Sequence, residues 1–239
     1  MLQIVTCNIH KGFSQFNRNL TIHDLREQLR KLSPDIVFLQ EVEGYNVLHS
    51  QRHENWPDLP QYEFIAEDIW GSAAYGRNVV RDHKHHGNAI LARYPIVDTH
   101  NQDVTHLRFE RRGLLHCAIE VPGMARVHCV CVHLSLLDRS RRIQLDALAN
   151  RIETVVPHDA PLIIAGDFND WRNRAHDALA ERLGMIEVFG GQRRRPPRSF
   201  PSLLPLLRMD RIYVRGFEVK RAEVHCDSAW ARITDHAAL

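Results

Sequence analysis

At 239 residues, 44% hydrophobic and 25% charged, the chain has an ordinary globular composition and can bury roughly 70–75% of its unfolded surface. A formal net charge of +2 is too small to imply a polyanionic partner by itself, so charge has to be read locally. No cationic leader precedes an apolar core and no run reaches the ~18 apolar residues of a membrane span, so a soluble cytoplasmic protein is expected.

In chain order, residues 2–7 read as a strand that ends in the polar loop Asn8-Ile9-His10-Lys11-Gly12. A helix is predicted over 21–32, with Thr21 as N-cap, Asp24 at the capping-box position and Leu25, Leu29 and Leu32 on one face. Ser33-Pro34 ends it. Residues 35–40 form a second apolar strand that runs into Glu41, and this βαβ opening predicts parallel strands covered by helices. Further strands are expected at 62–66 and 87–92, separated by a charged, mobile loop over 77–86 that holds His83, His85 and His86. A hairpin over 114–121 and 126–133 turns at Pro122-Gly123. The helix predicted over 138–155 buries Leu145, Leu148, Ile152 and Val155 and turns Arg139, Arg141, Arg142 and Arg151 mostly outward.

The run from Pro161 to Trp171 reads as a buried strand that stops in a cluster of polar groups. Gly166 allows close backbone approach, and Asp167 and Asn169, two apart, point to one side if the chain is extended. A turn is the alternative reading for an Asp and an Asn so placed. Asp170 or Asn173 is expected to cap a short helix through Leu183, which Gly184 ends. Arg193 to Arg198 form the densest positive run, in a proline-rich surface loop suited to phosphate. Residues 209–214 resume a strand, with Asp210-Arg211 inside it, and 217–225 are expected to pair back after Gly216. The five cysteines lack CxxC spacing, and Cys7, Cys117, Cys129 and Cys131 fall in apolar runs, which predicts buried free thiols rather than a Cys-ligated zinc.

Asn8, Glu41, His133, Asp167 with Asn169, Asp210, and Asp235 with His236 each stand at or beside the end of an apolar strand. In a layered α/β fold such ends can meet in one crevice. Taken singly they also read as loop caps, a satisfied core histidine or an ion-pair partner of Arg211. Taken together they form a mostly hard-oxygen donor set, which suits magnesium or manganese better than zinc.

The pieces Thr6-Cys7-Asn8, Leu39-Gln40-Glu41-Val42, Gly87-Asn88-Ala89-Ile90-Leu91, Val132-His133-Leu134, Gly166-Asp167-Phe168-Asn169, Met209-Asp210-Arg211-Ile212 and Thr234-Asp235-His236 occur in the order found in the endonuclease/exonuclease/phosphatase superfamily. The chain resembles that superfamily over essentially its whole length. The resemblance implies residues 1–239 as a single domain: an α/β, four-layer sandwich of two mixed β-sheets packed face to face with helices outside. It also implies cleavage of phosphate esters with Mg2+ or Mn2+. Carried onto this sequence, it makes Glu41, Asn8 and Asp235 the metal residues. Asp167 and Asn169 hold the attacking water or the phosphate, and His236, oriented by Asp210, and His133 act at the phosphate. Asp167 and His236 are both candidates for the general base. Asn88 and Arg112 are candidate substrate contacts, with Arg108 and Arg111 competing for the role of Arg112.

The pattern departs from the superfamily in leaving only Ala237-Ala238-Leu239 for a final strand. Arginine-rich segments at 77–81, 108–112 and 193–198 favour nucleic acid as substrate. The apolar run at 200–207 motivates a lipid head group or small phosphate ester instead, on condition that it is exposed near the crevice. A catalytically silent phosphate-binding module is the alternative from another class, and no obligate protein partner is implied.

Overall fold

The computed structural model describes residues 1–175, 177–190 and 196–239. Its elements are β1 (Ile4–Asn8), α1 (Ile22–Leu32), β2 (Ile36–Asn46), α2 (Val47–Arg52), α3 (Gln61–Ala66), β3 (Ser72–Arg81), β4 (Lys84–Ala92), β5 (Ile96–Asp103), β6 (Gly113–Ile119), β7 (Val127–His133), α4 (Asp138–Val155), β8 (Leu162–Asp167), β9 (Ile186–Glu187) and β10 (Asp210–Arg215). One sheet has the order β1-β2-β4-β3 and the other β5-β6-β7-β8-β10-β9. Both are mixed, with β1/β2 and β7/β8 parallel and the remaining pairs antiparallel.

Strand periodicity builds the layers. Ile36 and Phe38 face Cys129, Cys131, Ile163 and Ala165 across the space between the sheets. Their alternates Val37 and Leu39 pack outward on Leu25, Leu29 and Ile65 of α1 and α3, and Val130, Val132 and Ile164 pack outward on Leu145, Leu148 and Ile152 of α4. Side chains two apart share a face, so strands covered on both sides read as continuous apolar runs. The result is a four-layer α/β sandwich. Among the described residues, no helix is long and apolar enough to cross a membrane.

Several expectations are corrected. Residues 62–66 belong to α3, a helix; a five-residue apolar run cannot distinguish the two periods, and tertiary contact decides, with Ile65 and Ala66 turned to the core. The 77–86 loop is instead the β3–β4 hairpin, whose ladder runs from Ser72↔Ala92 to Arg81↔Lys84. Residues 217–225 do not pair with β10, because β9 takes that edge; Phe217, Val219, Ala222 and Val224 pack on the core from an extended loop. Thr21 leaves α1 uncapped by its side chain and gives its hydroxyl to Ile233 O (2.6 Å). Val155 is exposed, with Val156 buried in its place, and Arg141 is buried rather than outward. Arg141 donates to the carbonyls of Ser135 and Leu136, which close the turn into α4. Arg193 to Arg195 lie outside the described residues. Leu239 exchanges two backbone hydrogen bonds with Thr6, a very short pairing beside β1.

His116 on β6 carries a pH-dependent load. Arg151 donates to its Nδ1 (3.2 Å), so its proton sits on Nε2 and points at His128 Nδ1 (3.0 Å). Burial and the Arg151 charge hold its pKa down to about 4. The unfolded chain takes up that proton near 6.5, so stability is lost as pH falls through 6.5 towards 4, at up to about 1.4 kcal/mol per pH unit for this one group. Urea midpoints measured through this window are expected to fall less steeply for His116→Gln than for the native chain.

Candidate active site

Strand register assembles the centre of the site. β7 and β8 run parallel with His133 opposite Asp167, and β10 runs antiparallel with Asp210 opposite the same Asp167. Three chemically active side chains thus stand in a row where three adjacent strands end or begin. Parallel pairing of β7 and β8 brings both C-terminal ends to one side, the usual location of a crevice.

Asp167 is the hub and is buried. Its Oδ1 accepts the Asn169 backbone N–H (2.9 Å) and its Oδ2 accepts Asn8 Nδ2 (3.2 Å) from the end of β1. The same oxygen lies 3.5 Å from His133 Nε2 and 3.8 Å from His236 Nε2. His236 Nδ1 meets Asp210 Oδ2 at 2.9 Å. Burial disfavours the imidazolium of His236, but Asp210 and Asp167 outweigh it and raise the pKa to about 10. Burial pushes Asp167 up to about 6 against the opposing charge of His236, with Asp210 adding to the rise. His133, buried and close to the Arg112 charge, is held well below the usual histidine range. Two imidazoles on one carboxylate therefore differ in protonation, which is how one site supplies both a cation and a neutral base.

The second group of polar residues surrounds the turn after β1. Glu41 sits at a bulge in β2, where the register against β4 shifts between Leu39 and Val42. Its φ is +57°, and Asn169, His10 and Lys11 also have positive φ. Left-handed backbone costs a non-glycine residue about 1–2 kcal/mol, and such residues gather at functional sites. Lys11 Nζ pairs with Glu41 Oε2 (2.8 Å) and His10 Nδ1 with Asp235 Oδ2 (2.8 Å). Burial works against ionised Glu41, but Lys11, His133 and His10 outweigh it and hold its carboxyl far below the usual range.

Glu41, Asn88, Arg112 and His133 line one cleft of about 190 Å3 together with Lys11, Asn78, His86, Gly87 and Arg111. Asn88 gives its amide N–H to Gly113 O (3.1 Å) and Cys131 O (3.3 Å), tying the two sheets together. Arg112 is anchored by Leu134 O (3.2 Å) and Glu110 (3.0 Å). Asn169 likewise commits its side-chain amide to Leu134 O (2.9 Å). Sequence reasoning missed His10, Lys11 and His86 as site residues, whereas Arg111, a competitor for the role of Arg112, lines the cleft beside it. The signal for the first two was their position directly after Asn8, in a loop read only as polar.

The donor chemistry fits a hard divalent cation. Asp167, Asp210 and His236 place ligand atoms within 4.8 Å of one another, but a protonated His236 is no ligand, and Glu41 and Asp235 are not part of that group. Asp210 Oδ1 and Asp235 Oδ1 are buried without a hydrogen-bond partner, a costly arrangement for a carboxylate oxygen unless a ligand satisfies it. Lys11 and His10 already show that Glu41 and Asp235 attract positive charge.

Comparison with known proteins follows the same lines. The sequence model described as the Endonuclease/Exonuclease/phosphatase family matches residues 5–236. The uncharacterized protein YbhP of Escherichia coli strain K12 is 44% identical over 238 residues, covering 99% of this chain and 94% of that one. Among solved structures, an endonuclease/exonuclease/phosphatase from Beutenbergia cavernae superposes with a TM-score of 0.77 at 20% identity, over 99% of this chain and 69% of the other. Truncated TDP2 of Caenorhabditis elegans gives 0.70 at 16% identity, over 99% and 94%. The two structures share the fold, and the match of the family model over nearly the full length places the sequence: the chain belongs to the endonuclease/exonuclease/phosphatase family.

Proposed function

We propose that the chain is a divalent-metal-dependent phosphodiesterase. The observation that carries this reading is the row His133, Asp167, Asp210 with His236 closing on both acids. Magnesium or manganese would be held by the oxygens of Glu41, Asn8 and Asp235, and when bound supplies Lewis-acid polarisation of a phosphoryl oxygen and charge neutralisation. The remaining work belongs to side chains. Asp167, fixed at both oxygens, orients a water and takes its proton as the water oxygen attacks phosphorus. His236, its Nδ1–H given to Asp210, keeps a cationic Nε2–H for the phosphoryl oxygens. The proton taken by Asp167 passes through neutral His133, whose Nε2 lies 3.5 Å from Asp167 Oδ2, to the leaving oxygen as the P–O bond breaks, yielding a phosphomonoester and an alcohol.

Nucleic acid is one diester that fits. Arg81 and Lys84 of the β3–β4 hairpin, with Arg111 and Arg112, line a groove of about 320 Å3 that continues from the catalytic cleft. A lipid head group is the second reading, favoured by the run at 200–207: Leu203, Leu204, Leu206 and Leu207 are exposed, and Phe200 lies 4.9 Å from the His236 ring. Hydrolysis of bis(p-nitrophenyl) phosphate, oligonucleotides, phospholipids and inositol phosphates is expected to stop in EDTA and return with added magnesium or manganese. Turnover indifferent to EDTA would remove the metal, and no turnover on any ester would favour the silent phosphate-binding module.

A further inference from the structure

We propose that the active-site face docks on anionic phospholipid surfaces, so that the diester it receives is that of a phospholipid. The inference rests on the phosphodiesterase reading and adds a substrate class to it. Four loops frame the site and are bonded to it. The 105–112 loop is tied through Arg112 to Leu134 O, and the 134–137 loop through Leu134 O to Asn169. The 168–175 loop carries Asn169 itself, and the 199–207 loop is tied by Ser202 N–H to Asp235 O (2.8 Å).

Each of the four lifts large apolar side chains into solvent. Phe109 is 82% exposed, Leu136 51%, Leu137 52%, Leu203 63%, Leu204 66% and Leu206 54%. Trp171 adds a half-exposed indole on the 168–175 loop, with the Arg141 guanidinium 5.4 Å from its ring centre. These six residues are more than half of the large apolar side chains that are over 50% exposed among the described residues. A single exposed leucine is ordinary, whereas a cluster on separate loops around one opening marks an interaction surface.

Fraying does not account for the exposure. Leu206 N–H and Leu207 N–H both bond to Phe200 O (2.8 Å each), and buried Ser202 donates its hydroxyl to Thr234 O (2.5 Å). The backbone of the 199–207 loop is therefore well satisfied while its leucines point outward.

Charge selects the occupant. Arg108, Arg111, Arg172 and Arg198 are exposed on or beside these loops. The neighbouring acids are already engaged, Glu110 by Arg112 and Ser135, and Asp138 by Arg142 and Arg174. Arg111 pairs with Asp103 (3.9 Å), so what faces outward is apolar tips among Arg108, Arg172 and Arg198, the pattern suited to the head-group boundary of an anionic bilayer. A nucleic-acid strand would use the arginines and could stack bases on Phe109 and Trp171, but it would leave the five leucines over 50% exposed on the 134–137 and 199–207 loops in water.

Sedimentation with vesicles of phosphatidylglycerol and phosphatidylcholine in equal parts, and of phosphatidylcholine alone, tests the idea on the full chain. The native protein is expected to pellet with the mixed vesicles. The double variant Leu203→Glu, Leu204→Glu, verified as folded by circular dichroism, should lose about tenfold or more in partition, while Val97→Glu, at an exposed position on β5, should not. The ratio of phosphatidylglycerol hydrolysis to bis(p-nitrophenyl) phosphate hydrolysis should fall with it. Native protein left in the supernatant, an equal loss in Val97→Glu, or partition onto oligonucleotides with vesicles ignored would overturn the proposal. Vesicle binding with no diester hydrolysed in any metal would support docking and remove the phosphodiesterase reading instead.

Discussion

Replacing Asp167 by Asn is expected to lower kcat by about three orders of magnitude or more while leaving the melting temperature within a few degrees of native. The activity loss follows from the hub position: an amide keeps the shape and can still bond to Asn8 or Asn169, but it cannot accept a proton from water. Stability responds differently because two effects oppose. Burial penalises ionised Asp167, as its pKa of about 6 shows, and an amide escapes that cost. The amide also withdraws one of the two acids that favour charged His236. A steady-state assay in magnesium alongside a thermal melt reads both quantities. Retained turnover would show that the proton goes elsewhere, with His236 the remaining candidate for the base. A collapse of the melt would show that Asp167 is structural.

Much of this was legible because the strands that end in the site are covered on both faces. Their apolar runs are unbroken, so the polar residue at each end stands out, and the bounds expected for α4 agree with Asp138–Val155. Asp167 beside Gly166, Asp210 inside an apolar run and the closing Asp235-His236 were visible for the same reason. Partner choice was not visible. Asp210-Arg211 reads as a local ion pair, yet Arg211 spends its guanidinium on the carbonyls of Arg208, Asp210 and Asp170, freeing Asp210 for His236. Such pairings span distances in sequence that no periodicity records. The β3–β4 hairpin was hidden because half its side chains face water, which gives charged residues the look of a loop. Residues 62–66 failed for length alone, being too few to express either period.

The largest stability effect is expected one residue before the hub, at Gly166→Ala. Gly166 lies opposite Val132 in the parallel β7–β8 ladder and has φ of +145°. A methyl group built there would sit 2.0 Å from Val132 O and 3.1 Å from Val132 N. Both are backbone atoms, held in place between the core under α4 and the core between the sheets, so no side-chain rotation can make room. The strands must separate or the residue must leave its conformation, and an L side chain is disfavoured there in either case. A loss of about 4 kcal/mol or more is expected, at the high end for one substitution, read as a fall in the urea midpoint with unchanged slope. Because His133 and Asp167 follow Val132 and Gly166 directly in the ladder, the fraction that still folds should also lose turnover, through a widened His133–Asp167 gap. A variant with native stability would mean that β7 and β8 can part without penalty, and the register argument for the site would lose its basis.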